Sequence, residues 1–180
     1  GGAFALIPGE ADAALLEQVA RQIPDAAGLQ DGYLTEVHPV ACGFMGSLAQ
    51  MFKNGKGAAL LFDYGFPAHE YYFDERSSGT LMCHYRHHAH PDPFYLPGLQ
   101  DITAHVDFTA MALAAQDAGA EVMAYNSQAG FLIGAGIGEL IQRFDPADAL
   151  HYLPHANALQ KLLSPAEMGE LFKVLVIGHG

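Results

Sequence analysis

The sequence predicts an α/β fold, and three observations carry that prediction. The runs Ala58–Phe62 and Val174–Ile177 have the continuous hydrophobicity of strands covered on both faces. Around them lie stretches with the apolar spacing of amphipathic helices. The order is two helices, a strand, a long loop, then helix, strand, helices and strand, which is that of a sheet flanked by helices. With only three candidate strands the sheet looks incomplete.

The elements follow in chain order. Glu10–Ile23 reads as a helix with Leu15, Leu16, Val19 and Ile23 on one face and Pro24 just beyond it. Asp25–Gly32 is a loop. Thr35 is the expected N-cap of a second helix that takes Pro39 in its first turn and turns Val40, Phe44, Leu48 and Met51 inward. Lys53–Gly57 stops it. Ala58–Phe62 is then expected to be a central parallel strand, with Asp63 and Tyr64 at its C-terminal edge facing a cleft, where ligands of open α/β sheets sit. Phe66–Gly98 has no sustained period, and a long irregular segment inside a compact domain is usually functional. Asp107 is the expected N-cap of a helix through Ala118 that buries Phe108, Met111, Ala112 and Ala115, with Gly119 at its end. Glu121–Tyr125 reads as a strand, Phe131–Ile141 as a helix, and Asp145–Leu163 as helical with a break at Pro154. Ser164–Glu167 is a capping box expected to open a short helix before the last strand, Val174–Ile177.

Composition excludes several function classes. The 180 residues are 51% hydrophobic and 16% charged, against roughly 25% charged in an average soluble domain. Disorder and charged coiled coils are ruled out, and the low charge implies a surface hidden against something else or a part of a larger globule. Net charge is −12, and the eight Lys and Arg are scattered from Arg21 to Lys173. No basic face exists to displace counterions from a nucleic acid, whereas a cationic ligand is attracted. Two cysteines, Cys42 and Cys83, make no disulfide framework and point to a reducing, cytoplasmic compartment. No apolar run reaches the length of a membrane span, and Gly1–Gly9 has no basic leader region.

Four groups of residues could carry chemistry. Cys83, His84, His87, His88 and His90 are zinc-ligand types, and His84 and His88 have the spacing used on helices. The run lacks a Glu in an H-E-x-x-H pattern and contains Arg86, Pro91 and Pro93 lie just beyond it, and no bound metal is expected. Gly134-Ala135-Gly136-Ile137-Gly138 imitates a nucleotide-cradling loop but reads as a glycine-rich helix end. Asp63 stands at a strand end, as a functional acceptor or a turn cap. In Asp101–Phe108, His105 is either a general base or a buried hydrogen-bonded imidazole, Asp107 is chiefly a cap, and Asp101 and Thr103 could simply fix the loop. Glu36 most simply belongs to the first turn of its helix. Ser127 has no base or nucleophile elbow around it.

Several of these blocks resemble one family. They are Leu61–Phe66, Gly79–Leu81 leading into Tyr85–His87, Pro97–Phe108, Ser127–Gln128 before Phe131–Leu132, and Ser164–Leu175. The stretch from about Tyr33 to Gly178 resembles the MidA-like class I S-adenosylmethionine-dependent methyltransferases, a family that includes an arginine methyltransferase of mitochondrial complex I assembly. The resemblance implies the C-terminal half of a Rossmann-like class I methyltransferase sheet with flanking helices. Residues 1–32 would be a helical insertion and 33–180 the sheet half, with a substrate-side loop at 66–98. Ala58–Phe62 looks like the fifth strand. The acidic glycine-rich loop and ribose-binding acid that hold the cofactor in such enzymes are missing ahead of it, so S-adenosylmethionine would be bound mainly by an N-terminal half. The isolated chain is then expected to be inactive and to self-associate or be covered by a partner chain.

Three functions compete on this reading. The first is a methyltransferase half acting on a protein arginine. Residue type and position suggest Asp63 and Asp101 to orient the guanidinium, His105 or His87 to accept a proton, and Tyr64, Tyr85, Arg86 and His87 to bind substrate. The second is a non-catalytic assembly module holding an arginine-bearing partner. The third is a metal-dependent hydrolase built on Cys83–His90.

Overall fold

The computed structural model describes residues 4–23 and 25–180; Pro24, expected as a helix stop, lies outside them. In chain order the elements are α1 (Ala13–Gln22), α2 (Pro39–Met51), β1 (Gly57–Phe66), α3 (Ala68–Tyr71), β2 (Met82–Tyr85), β3 (His88–His90), β4 (Asp101–Thr103), β5 (Val106–Asp107), α4 (Phe108–Asp117), β6 (Glu121–Ser127), α5 (Gln128–Gly134), α6 (Ile137–Ile141), α7 (Ala149–Leu163) and β7 (Phe172–His179). The main sheet runs β5-β1-β7-β6 and a small second sheet runs β3-β2-β4. The α/β class is as predicted, with a mixed main sheet.

The continuous apolar run identifies the doubly covered strand, and that strand is β7. Val174, Leu175, Val176 and Ile177 are all buried, and β7 pairs antiparallel with β1 on one side and β6 on the other. Leu175 and Ile177 pack with Met45, Ala49, Phe108, Met111 and Ala115 in the core beneath α2 and α4. For β1 the expectation needs correction. Its long pairing is antiparallel, with β7, and its parallel pairing with β5 covers only Gly65 and Phe66. Over residues 57–64 its other edge has no strand partner among the described residues. One face is open too: Phe62 meets the edge of Phe131 in α5 at 5.6 Å, yet Leu60 and Phe62 stay 52% and 43% exposed.

α2 also departs from its predicted phase. It begins at Pro39, not Thr35, and it is apolar nearly all round, so periodicity selects no face. Packing selects the face with small residues: Ala41 and Ala49 flank Met45 and let α4 approach closely. Val40, Phe44 and Met51, expected inside, are exposed, Val40 and Met51 at 76% and 77%. α4 is as predicted: the Asp107 carboxylate accepts the Ala110 N–H and Gly119 follows in the left-handed region. Ser164–Glu167 opens no helix. Residues there form turns, because the chain doubles back so tightly that a Cβ at Gly169 would stand 2.2 Å from the Leu163 carbonyl oxygen. Pro154 sits inside α7 without ending it. Among the described residues no helix is long and apolar enough to cross a membrane.

Candidate functional site

A cavity of ≈ 610 Å³ opens beside the unpaired edge of β1, between α2 and the approach to α4. Its floor is apolar, from Met45, Leu61, Phe108 and Leu175, and its polar groups are Gln22, Glu36, His38, Asp63, Tyr71, Tyr72, His105 and Asp107. Three carboxylates and no Lys or Arg line it, which makes it attractive to a cation.

Each polar group is set by its element. Asp63 is on β1, where its carboxylate accepts the Tyr64 N–H at 2.8 Å; no other donor among the described residues reaches it. His105 precedes β5. Its ring packs against Tyr64 at 5.4 Å and Phe66 at 5.0 Å, and its Nδ1 is buried without a hydrogen-bond partner. The Arg76 guanidinium lies 4.1 Å over the Phe66 ring. Burial, with Arg76 assisting, holds the His105 imidazole below its ordinary pKa of 6.5 against the opposing pull of Glu36 and Asp63. The ring is therefore neutral at pH 7, the form that can accept a proton.

Asp107 caps α4 and also accepts the Tyr72 hydroxyl at 3.0 Å. Burial raises its carboxyl above the usual value. Burial also raises the Tyr71 phenol, to about 12, and raises that of Tyr72 further, with the Asp107 charge adding to the effect. Both tyrosines are thus hydrogen-bonding groups and not proton acceptors.

The other expected site residues lie elsewhere. Asp101 is in β4, paired in register with His84 and absent from the cavity wall. Tyr85, Arg86 and His87 belong to a β2–β3 hairpin whose turn holds Arg86 and His87 at φ 49° and 68°, the two left-handed residues of a type I′ turn. The segment 66–98 is therefore not one irregular loop. The hairpin also undoes the helical spacing read for His84 and His88: Cys83 pairs with His90 and His84 with Ala89. Among the described residues no three His, Cys, Asp or Glu side chains come together as a metal site. Gly134–Gly138 joins α5 to α6, so no strand precedes it as a nucleotide-cradling loop requires.

Sequence reasoning missed Glu36, Tyr71, Tyr72, Thr80 and Arg76. The one available signal was Gly79-Thr80-Leu81, noted as a motif without a role.

The fold and the cavity can be set beside known proteins. A protein arginine methyltransferase NDUFAF7 homolog, mitochondrial, from Drosophila melanogaster is 30% identical over 141 residues, which are 76% of this chain and 30% of that protein. A crystal structure of a COG1565 superfamily member from Burkholderia thailandensis bound to S-adenosyl-homocysteine superposes with a TM-score of 0.88 at 50% identity, covering 99% of this chain and 44% of that one. A native crystal structure of a COG1565 superfamily protein from the same organism gives a TM-score of 0.82 at 53% identity, over 89% of this chain and 43% of that one. The chain thus spans less than half the length of each of these relatives. A family model described as "Putative S-adenosyl-L-methionine-dependent methyltransferase" matches residues 3–126. On that match the chain belongs to this S-adenosyl-L-methionine-dependent methyltransferase family.

Proposed function

We propose that this chain supplies the methyl-acceptor side of an S-adenosylmethionine-dependent methyltransferase, and that the acceptor is the guanidinium of a protein arginine. The observation that carries the reading is the carboxylate-lined, cation-free cavity with a neutral imidazole in its wall. The arginine methyltransferase named among the relatives supports the choice of acceptor. The relative that holds S-adenosyl-homocysteine supports the cofactor. The residues present here do not fit the cofactor itself: the glycine-rich stretch joins two helices and, among the described residues, no acidic glycine loop follows a strand. The bulk of the cofactor's contacts then comes from outside this chain.

Asp63 orients the guanidinium with the carboxylate oxygen its own backbone leaves free, through charge-assisted hydrogen bonds. Tyr64 and Phe66 fix the ring of His105. An arginine is protonated in water and must release a proton when one of its nitrogens is alkylated; His105 is the acceptor. Asp101, Tyr85, Arg86 and His87 act at the hairpin side, on flanking substrate residues. The bare edge of β1 and the exposed Val40 and Met51 are covered by further chain, its own or a partner's. Two free cysteines suit the cytoplasm, a reducing compartment.

N-acetyl-arginine methylamide and its citrulline counterpart, titrated into the chain by NMR, test the reading. The arginine compound is expected to shift Asp63, Tyr64 and His105 resonances, and Asp63→Asn to weaken it. Equal binding of the uncharged citrulline compound would refute the assignment.

A further inference from the structure

Glu36 is not a first-turn residue of α2. It lies in the stretch ahead of that helix, which a parallel bridge between Leu34 and Ser78 ties to the segment leading to β2. Its carboxylate accepts the N–H groups of Thr80 and Leu81 at 3.0 Å, the Thr80 hydroxyl at 3.1 Å and the Tyr71 hydroxyl at 3.4 Å. Gly79 makes this possible. It stands at φ +73°, and a Cβ there would be 2.3 Å from Glu36 Oε1. Successive N–H groups after a left-handed residue form an anion-binding concavity, and here the anion is internal.

The consequence passes on to His105. The Thr80 hydroxyl proton goes to Glu36, so its lone pair is left to accept the His105 N–H at 3.0 Å. The single hydroxyl proton of Tyr71 is divided between the Glu36 carboxylate at 3.4 Å and the His105 carbonyl at 3.2 Å, with the Thr80 hydroxyl oxygen at 3.3 Å. Both backbone polar groups of His105 are thereby held by partners that Glu36 orders. We propose that Glu36 is a positioning residue, which through Thr80 and Tyr71 fixes His105 in the wall of the acceptor cavity. Its chemical importance rests on the acceptor-side reading above; the geometry it enforces does not. The groups around the His105 ring are Asp63, Tyr64 and Phe66 from β1, Arg76 from the turn after α3, and Glu36 itself.

The experiment follows the His105 imidazole by NMR through a pH titration of the chain without ligand. Thr80→Val, Thr80→Ser, Glu36→Gln and the double variant Glu36→Gln/Thr80→Val are compared with the wild type. Loss of the Thr80 hydroxyl lets water reach the ring, so Thr80→Val is expected to move the midpoint up toward the ordinary value of about 6.5. Thr80→Ser, which keeps the hydroxyl, restores the wild-type midpoint. Affinity for N-acetyl-arginine methylamide falls several-fold in Thr80→Val and is restored in Thr80→Ser; because Glu36 also lines the cavity, the path between the two residues is read from the midpoint, which Thr80→Val moves less in the Glu36→Gln background than in the wild type. An unchanged midpoint in Thr80→Val, or a Thr80→Val shift of the same size with and without Glu36, would overturn the proposal. A wild-type chain that ignores the arginine compound while the midpoints still move removes the acceptor reading and leaves the positioning role standing.

Discussion

Replacing Gly65 with alanine probes the joint on which the cavity depends. Gly65 pairs with Val106 in the short parallel bridge of β1 and β5, and a Cβ there would lie 2.1 Å from the Val106 carbonyl oxygen and 2.8 Å from its nitrogen. Its φ is not in the left-handed region, so the obstacle is steric and not conformational. The two backbones must part by roughly 1 Å before an ordinary contact is reached, and a misplacement of that size can cost ~100-fold in a reaction that depends on alignment. His105 precedes this bridge and Asp107, the cap of α4, is part of it. Overpacking costs about 1–3 kcal/mol, and for a domain of this length each kcal/mol lowers Tm by about 2–4 °C. A loss of about 2 kcal/mol therefore means a Tm lower by about 4–8 °C in a thermal melt, with faster amide exchange at His105 and Val106. The control is Gly43→Ala in α2, where nothing lies within 4 Å of the added Cβ; it is expected to stabilise the helix by about 0.5–1 kcal/mol. A Gly65→Ala chain with the wild-type Tm and unchanged protection would show that the β1–β5 contact is not the constraint described.

Two further outcomes are expected. Met45→Ala is predicted to cost about 2–5 kcal/mol in urea unfolding, whereas Phe44→Ser, one residue along the same helix and 58% exposed, stays within about 0.5 kcal/mol; similar losses for both would reverse the phase assigned to α2. Asp107 has a carboxyl raised by burial above its ordinary 3.8, so the stability it lends is complete below that pH and is lost as pH rises through the higher folded value. Asp107→Asn keeps the capping acceptor without titrating, and its Tm relative to wild type is expected to climb across that window; a gap that widens on acidification instead would contradict the sign.

What the sequence reveals depends on how far apart the interacting residues are. The Asp107 cap and Gly119 were legible because capping is settled within a few residues. The burial of β7 was legible because both its faces meet apolar elements. The sense of β1 was not, since its partner lies more than a hundred residues away and nothing in Ala58–Phe62 records whether that partner runs parallel. The β2–β3 hairpin was hidden for another reason. Its left-handed turn positions carry Arg86 and His87, not the glycine or asparagine that announces such a turn. Of the residues expected at the site, the cavity gathers Asp63, in β1, and His105, just ahead of β5, and leaves out Tyr64, Asp101 and the hairpin residues Tyr85, Arg86 and His87. Glu36 could not be found by spacing, because its partners are 44 and 45 residues away in a segment without period.

The position of β7 between β1 and β6 has a consequence for the order in which the molecule assembles. Gly57 pairs with His179 and Glu121 with Gly178, so neither neighbour has its main partner until residues 172–179 have left the ribosome. Until then β1 lacks its long antiparallel partner and keeps only the short bridge to β5, while the helices α2 and α4 can already pair locally. Loop closure over such a span is slow compared with helix pairing. A nascent chain is thus most exposed to association at this sheet just before β7 arrives, and clipping even a few residues from β7 would undo both sides of the sheet at once.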